Sequence, residues 1–279
     1  MPGPPGPDAT VHAATRREAA DALEQAFKTN GLVVQHRGEK FSFLLPAVAS
    51  DHIAALFHSI PDPPADPVVS TAPQEMLPPG IIDFVEAETS QVLEIWQELT
   101  GRTVIRHGYF FGNKIALRTQ NPMSRAQATW LLDAALRLAG VFVIPEGEKF
   151  AFAVPWARTN DLPRFDRAAA LAKAVPPPPP PPPQTQQYPH IVVLDAQRLM
   201  GWYAPYTRRQ ALPLATNFPP LKFSARVQAP LDQAETIFLL EALAQLNGAA
   251  FELVGTNQFR LVPRPLPPAI PGRPQAAGP

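Results

Sequence analysis

"GEKFSFLLP" (residues 38–46) and "GEKFAFAVP" (147–155) share six of nine positions, although they stand 109 residues apart. Each begins on a Gly-Glu-Lys turn and continues as alternating apolar and other residues up to a proline. Period-2 alternation behind a glycine turn marks a strand leaving a β-hairpin. One such pair is compatible with chance, so the residues upstream decide whether the chain repeats itself.

Three glycines anchor the comparison: Gly31, Gly140 and Gly248. Fifteen residues after each stands Pro46, Pro155 or Pro263, and sixteen before each stands Thr15, Ser124 or Asp232. Three residues beyond those caps come Glu18, Gln127 and Glu235. Cap and Glu/Gln at that spacing satisfy each other's orphan amides in a capping box. Between cap and glycine, Ala19, Ala22, Leu23, Ala26 and Phe27 share one helical face. In the second copy Ala128, Leu131, Leu132, Ala135 and Leu136 do so, and in the third Ile237, Leu239, Leu240, Leu243 and Leu246. Asn-Gly or Ala-Gly then ends each helix in a left-handed turn. The chain is therefore read as an internal repeat of a capped helix and a hairpin, at spacings of 109 and 108 residues.

The second copy has a longer front half. "IIDFV" (81–85) reads as a strand, and "SQVLEIWQELTG" (90–101) as a helix with Val92, Ile95, Trp96 and Leu99 inward and Gly101 as its stop. "TVI" (103–105) and "KIALRT" (114–119) add two strands. The full unit is β-α-β-β-α-β-β, so the fold class is α+β, with two helices on one face of a sheet. In the third copy "HIVVLD" (190–195) and "LKFSARVQ" (221–228) read as strands, while Pro205 predicts a short or broken helix between them.

The predicted organisation has six parts. An incomplete helix-hairpin module (8–46) precedes a Pro-rich linker (47–79), a complete module (80–155) and a second linker (156–189). A divergent module (190–263) and a disordered tail (264–279) follow. Pro176 to Pro183 predict a stiff polyproline II rod. "SDHIAALFHS" (50–59) and "FDRAAALAKA" (165–174) read as short helices that follow the hairpins.

Composition narrows function further. The 279 residues carry no net formal charge, which removes a general electrostatic drive toward nucleic acid or anionic membranes. The absence of cysteine excludes disulfides, thiolate catalysis and Cys-based zinc sites. "MPGPPGPDATVHAATRREAA" shows no basic segment followed by an apolar one, and no apolar run approaches the roughly 18–20 residues of a membrane helix. The expectation is a chain with no export signal and no membrane insertion of its own.

The stretch "IIDFVEAETSQVLEIWQELTGRTVI…KIALRTQNPMSRAQATWLLDAALRLAGVFVIPEGEKFAFAVP" (81–155) resembles the periplasmic N-domains of bacterial secretins and the short amino-terminal domain of TonB-dependent receptors. Phe84, Val92, Leu93, Leu99, Thr100, Gly101, Ser124, Ala128, Gly140, Val154 and Pro155 carry the likeness. The resemblance extends loosely over 190–263 and over half a unit in 8–46, with no channel-forming domain. It implies a non-catalytic assembly module, without cofactor, that associates with itself or with secretion and envelope proteins. It implies a periplasmic or outer-membrane-associated location if the chain is exported.

Residues with chemistry to offer are few. His12, His36, His52, His58, His107 and His190 form no metal-ligand spacing, and neither a nucleophile elbow nor a phosphate-binding loop appears. Glu86 and Glu88 read as a solvated turn, "YTRRQ" (206–210) as a solvated loop, and Trp96 and Trp130 as core. Tyr109, Phe110 and Phe111 lie in a predicted β-β loop, where three adjacent aromatics are not all buried, and form a candidate interaction loop. The alternative is a KH-like binder of single-stranded RNA, which needs a GxxG loop between helices. The only GxxG is "GPPG" at 3–6, in the Pro-rich start, so nucleic acid is not the expected partner.

Overall fold

Thr15, Ser124 and Asp232 each begin a helix of 14 residues that ends just before its glycine. The computed structural model describes residues 15–48, 51–64, 76–106, 114–160, 162–174 and 194–264. The expectations for "GPPG", Tyr109–Phe111, Pro176–Pro183 and residues 265–279 lie outside the described residues.

The first repeat comprises α1 (Arg16–Thr29), β1 (Leu32–Arg37), β2 (Phe41–Pro46) and the following helix α2 (Asp51–His58). Then come β3 (Met76–Leu77), β4 (Asp83–Ala87), α3 (Thr89–Thr100), β5 (Thr103–Arg106), β6 (Ile115–Arg118) and β7 (Met123–Ser124). The second repeat is completed by α4 (Arg125–Leu138), β8 (Val141–Glu146), β9 (Phe150–Pro155) and α5 (Arg167–Lys173). The third has β10 (Leu194–Asp195), α6 (Ala196–Thr207), β11 (Gln210–Ala211), β12 (Lys222–Phe223) and β13 (Ala225–Arg226). It closes with α7 (Gln233–Leu246), β14 (Ala249–Val254) and β15 (Gln258–Pro263). The mixture of helix and strand makes the chain α+β.

The three helix-hairpin segments agree in detail. Glu18 N–H donates to Thr15 Oγ1, Gln127 N–H to Ser124 Oγ and Glu235 N–H to Asp232 Oδ1, at 3.2, 3.2 and 3.0 Å. The Glu or Gln side chain returns a bond to the cap amide in every case. Leu32 pairs with Pro46, Val141 with Pro155 and Ala249 with Pro263, so each hairpin has two six-residue strands and a three-residue turn. That turn opens on Gly38, Gly147 or Gly255 at φ 62°, 60° and 64°, which favours glycine at all three. At Gly38 a Cβ would also meet Pro63 Cγ at 3.2 Å.

The chain divides into two units, 1–81 with 119–134 and 82–118 with 135–279. In the first unit, Phe41 and Phe43 of β2 are buried against Trp130, with ring centroids 4.6 and 6.1 Å away, and Phe57 of α2 lies 5.6 Å from Phe43. Trp130 Nε1 donates to the Pro61 carbonyl at 2.9 Å. The apolar face predicted for α1 is only partly covered: Ala19, Ala26 and Phe27 are half-buried, while Ala22 and Leu23 are exposed.

The second unit holds a four-stranded sheet ordered β13-β5-β9-β8, a three-stranded sheet ordered β11-β15-β14, and two-stranded ladders β4-β6 and β10-β12. Ala225–Arg226 of the third repeat therefore joins the sheet of the second. Helix α7 packs on α5, α6, β14 and β5, and its residues are buried nearly all round. A helix enclosed on every side has no polar stripe to present, and the run "IFLLEALAQL" accordingly has almost none. Ile105, Phe150 and Phe152 belong to the same core as Leu199, Tyr203, Ile237 and Phe259, so residues on both sides of the 156–189 segment share one core.

Two local expectations change. Helix α6 runs through Pro205 to Thr207 instead of breaking. Pro205 stands in the last turn, Thr207 Oγ1 donates to the Tyr203 carbonyl at 3.1 Å, and the stop is Arg208 at φ 49°. On α3 the buried face is Val92, Leu93, Trp96 and Gln97, leaving Ile95 and Leu99 half-buried. The inward stripe is rotated by about one position, toward the i, i+1, i+4, i+5 set.

Candidate interaction edge

Hairpin strands β9 and β15 each carry a parallel third strand, β5 and β11, on the edge away from their hairpin partner. Strand β2 occupies the same place in the first repeat, and among the described residues no strand pairs with its outer edge. The hydrogen-bond phase is fixed by Ala47 N–H, which donates to the Gly31 carbonyl at 2.7 Å. In antiparallel pairing bonded and non-bonded pairs alternate, so the amides of Phe41, Phe43 and Leu45 turn toward β1 and those of Ser42 and Leu44 turn outward. Pro46 falls on the outward phase, where its missing N–H costs no ladder bond.

Exposure differs between the hairpins in the same sense. Leu44 is 48% exposed, whereas Ala153 at the equivalent register position is 0% exposed. Leu23 is 43% exposed, whereas Leu132 and Leu240, likewise eight residues ahead of their glycines, are 0% exposed. In the third repeat helix α6 supplies the cover: Tyr203 stacks on Phe251 at 4.0 Å and meets Phe259 edge-on at 5.1 Å. Val34 and Ser42 hold those two positions in the first hairpin, and among the described residues no helix precedes α1. An open strand edge beside exposed leucines is the physical form of a strand-addition site.

The other residues singled out by the sequence hold local structure. His36 bridges Ser42 Oγ at 2.9 Å and Glu24 Oε1 at 3.3 Å, and His58 Nδ1 meets the Ala54 carbonyl. Glu86 pairs with Lys114 across the β4-β6 ladder. Trp96 and Trp130 are buried. The proposed loop Tyr109, Phe110 and Phe111 lies outside the described residues.

Sequence reading missed one partly buried polar network. Tyr203 Oη donates to Glu241 Oε1 and Lys173 Nζ to Glu241 Oε2, both at 2.7 Å. Burial, reinforced by the Glu241 charge and hydrogen bond, pushes the Tyr203 hydroxyl well above its ordinary range and keeps it a neutral donor. The available signal was Glu241, a lone acid within the apolar run of α7. Its partly buried carboxylate ties α7 to Tyr203 of α6 and Lys173 of α5.

Among the described residues, no cluster of three His, Asp or Glu is arranged to hold a metal, and no helix is long and apolar enough to cross a membrane. No protein-family model matches the chain, and no curated protein is similar to it.

Proposed function

We propose that this chain is a non-catalytic protein–protein assembly module of a bacterial secretion-type envelope complex, related in plan to secretin N-domains. The observation that carries the reading is the unpaired outer edge of β2, with exposed Leu44 on that strand and Leu23 on the neighbouring helix. Backbone donors and acceptors on such an edge gain most by pairing with a strand, and adjacent apolar surface adds burial to that gain. The partners are other copies of the chain or envelope proteins, met in the periplasm or at the outer membrane. No substrate is turned over and no cofactor is held.

Light scattering over a roughly hundredfold concentration range, together with titration of fractionated envelope proteins, tests this reading. A rise in mass, or a stable complex with an envelope protein, is expected. A strict monomer without envelope partners, binding single-stranded RNA in a salt-sensitive way, would transfer the case to the KH-like alternative.

A further inference from the structure

The two occupied edges are entered in the same way. Arg102 immediately precedes β5, and its guanidinium donates to the carbonyls of Gly147 at 2.7 Å and Phe150 at 3.3 Å. The next residue, Thr103, gives its N–H to the carbonyl of Lys149, the third turn residue, at 2.7 Å. Arg209 immediately precedes β11 and donates through Nε to the Thr256 carbonyl at 3.2 Å. Gln210 then gives its N–H to Asn257, again the third turn residue, at 2.8 Å. Each incoming strand is thus registered by an arginine on the hairpin turn and by the amide that follows it. The first hairpin turns on Gly38-Glu39-Lys40, the same three residues as Gly147-Glu148-Lys149. The repeated nonapeptide is a repeated docking edge.

We propose that β2 receives a parallel strand from another protein chain, led by an arginine that docks on the turn carbonyls of Gly38–Phe41 and preceded by an amphipathic helix, a proposal that rests on the assembly role above. The strand pairs with the outward amides of Ser42 and Leu44 and stops at Pro46, which offers none. Its span is that of β5, four residues. The preceding helix covers Leu44 and Leu23, as α6 covers the third hairpin. A guanidinium on several carbonyls is a charge-assisted contact with directional demands, so the arginine sets register and direction.

The test uses a fluorescein-labelled synthetic peptide with the sequence of residues 88–106, which contains a helix, Arg102 and a strand, titrated with the full chain by anisotropy. Saturable binding is expected, weakened about tenfold when the peptide carries Arg102→Ala. A full chain with Ser42→Pro, which removes an outward amide and leaves β1 pairing intact, should lose binding. Leu44→Lys should weaken it, and circular dichroism should show both variants folded. Equal binding of the two peptides, or no saturation by about 1 mM, would overturn the proposal. So would binding indifferent to both Ser42→Pro and Leu44→Lys, or binding that appears only after residues 1–14 are removed. If the chain self-associates or holds an envelope partner while the peptide series fails, the assembly role stands and the arginine-led strand does not. If both fail, both readings fall.

Discussion

The ring of Phe238 lies 5.2 Å from that of Phe150, joining the helix of the third repeat to the sheet of the second. Trp130 makes the equivalent contact with Phe41 in the other unit, and both knobs stand ten residues ahead of their glycine. In the first helix and the third hairpin the same positions are polar. Asp21 stands on α1 where Trp130 and Phe238 stand later, and Gln258 and Arg260 replace Phe150 and Phe152. Arg260 pairs across the hairpin with Glu252 at 2.8 Å.

Removing a buried knob should therefore cost far more than removing an exposed residue of the third hairpin. Phe238→Ala is expected to destabilise the second unit by about 3–5 kcal/mol in chemical denaturation. Arg260→Ala should stay within about 0.5 kcal/mol, because its ion pair is exposed. Similar costs for the two would contradict the assignment of buried and exposed faces.

One substitution made at three equivalent leucines measures how completely each helix is covered. Leu132→Ala and Leu240→Ala should each cost about 2–5 kcal/mol. Leu23→Ala should cost less, about 1 kcal/mol, since the residue is already 43% exposed. A large loss at Leu23 in the isolated chain would show that α1 is buried after all.

Tyr203→Phe deletes only a hydroxyl and leaves a partly buried Glu241 oxygen without that donor. The expected loss is about 0.5–1.5 kcal/mol, read from the denaturation midpoint at constant slope. An unchanged midpoint would mean that water replaces the bond.

Acid should act through the Asp232 cap. Burial raises its carboxyl pKa, but the Glu235 and Ala234 amides and the Arg167 guanidinium at 2.7 Å outweigh burial and hold it below the ordinary value of 3.8. A folded value below the unfolded one gives stability that is present above the ordinary value and lost as pH falls through the folded one. Asp232→Asn keeps the cap acceptor and loses the charge. Its stability should fall less steeply than wild type below about pH 4. Parallel acid profiles would assign the acid loss to other carboxylates.

Much of this was legible in the sequence because it depends on neighbours. Caps, glycine stops and hairpin turns use residues three to sixteen positions apart, and their chemistry is local. The pairing of Ala225–Arg226 with β5 was not legible, because a two-residue strand carries no period and its partner stands over a hundred residues away. The Tyr203–Glu241 bond hid for the same reason. The use of the β2 edge by an arginine-led strand could not be anticipated, because it required the two filled edges of the later hairpins. Pro205 misled because it removes only one amide bond to the preceding turn, and the helix runs two residues further to its stop at Arg208.

Amide hydrogen exchange at four residues tests the central claim most directly. Ala151 and Ala153 turn their amides toward β5 and should exchange slowly, whereas Ser42 and Leu44 in the isolated chain should exchange near the rate of an unstructured peptide. Adding the 88–106 peptide, or raising concentration into the assembled state, should protect Ser42 and Leu44 without changing Ala151 and Ala153. Ser42 and Leu44 amides as slow as those of Ala151 and Ala153 in the isolated monomer would contradict an open edge on the first repeat.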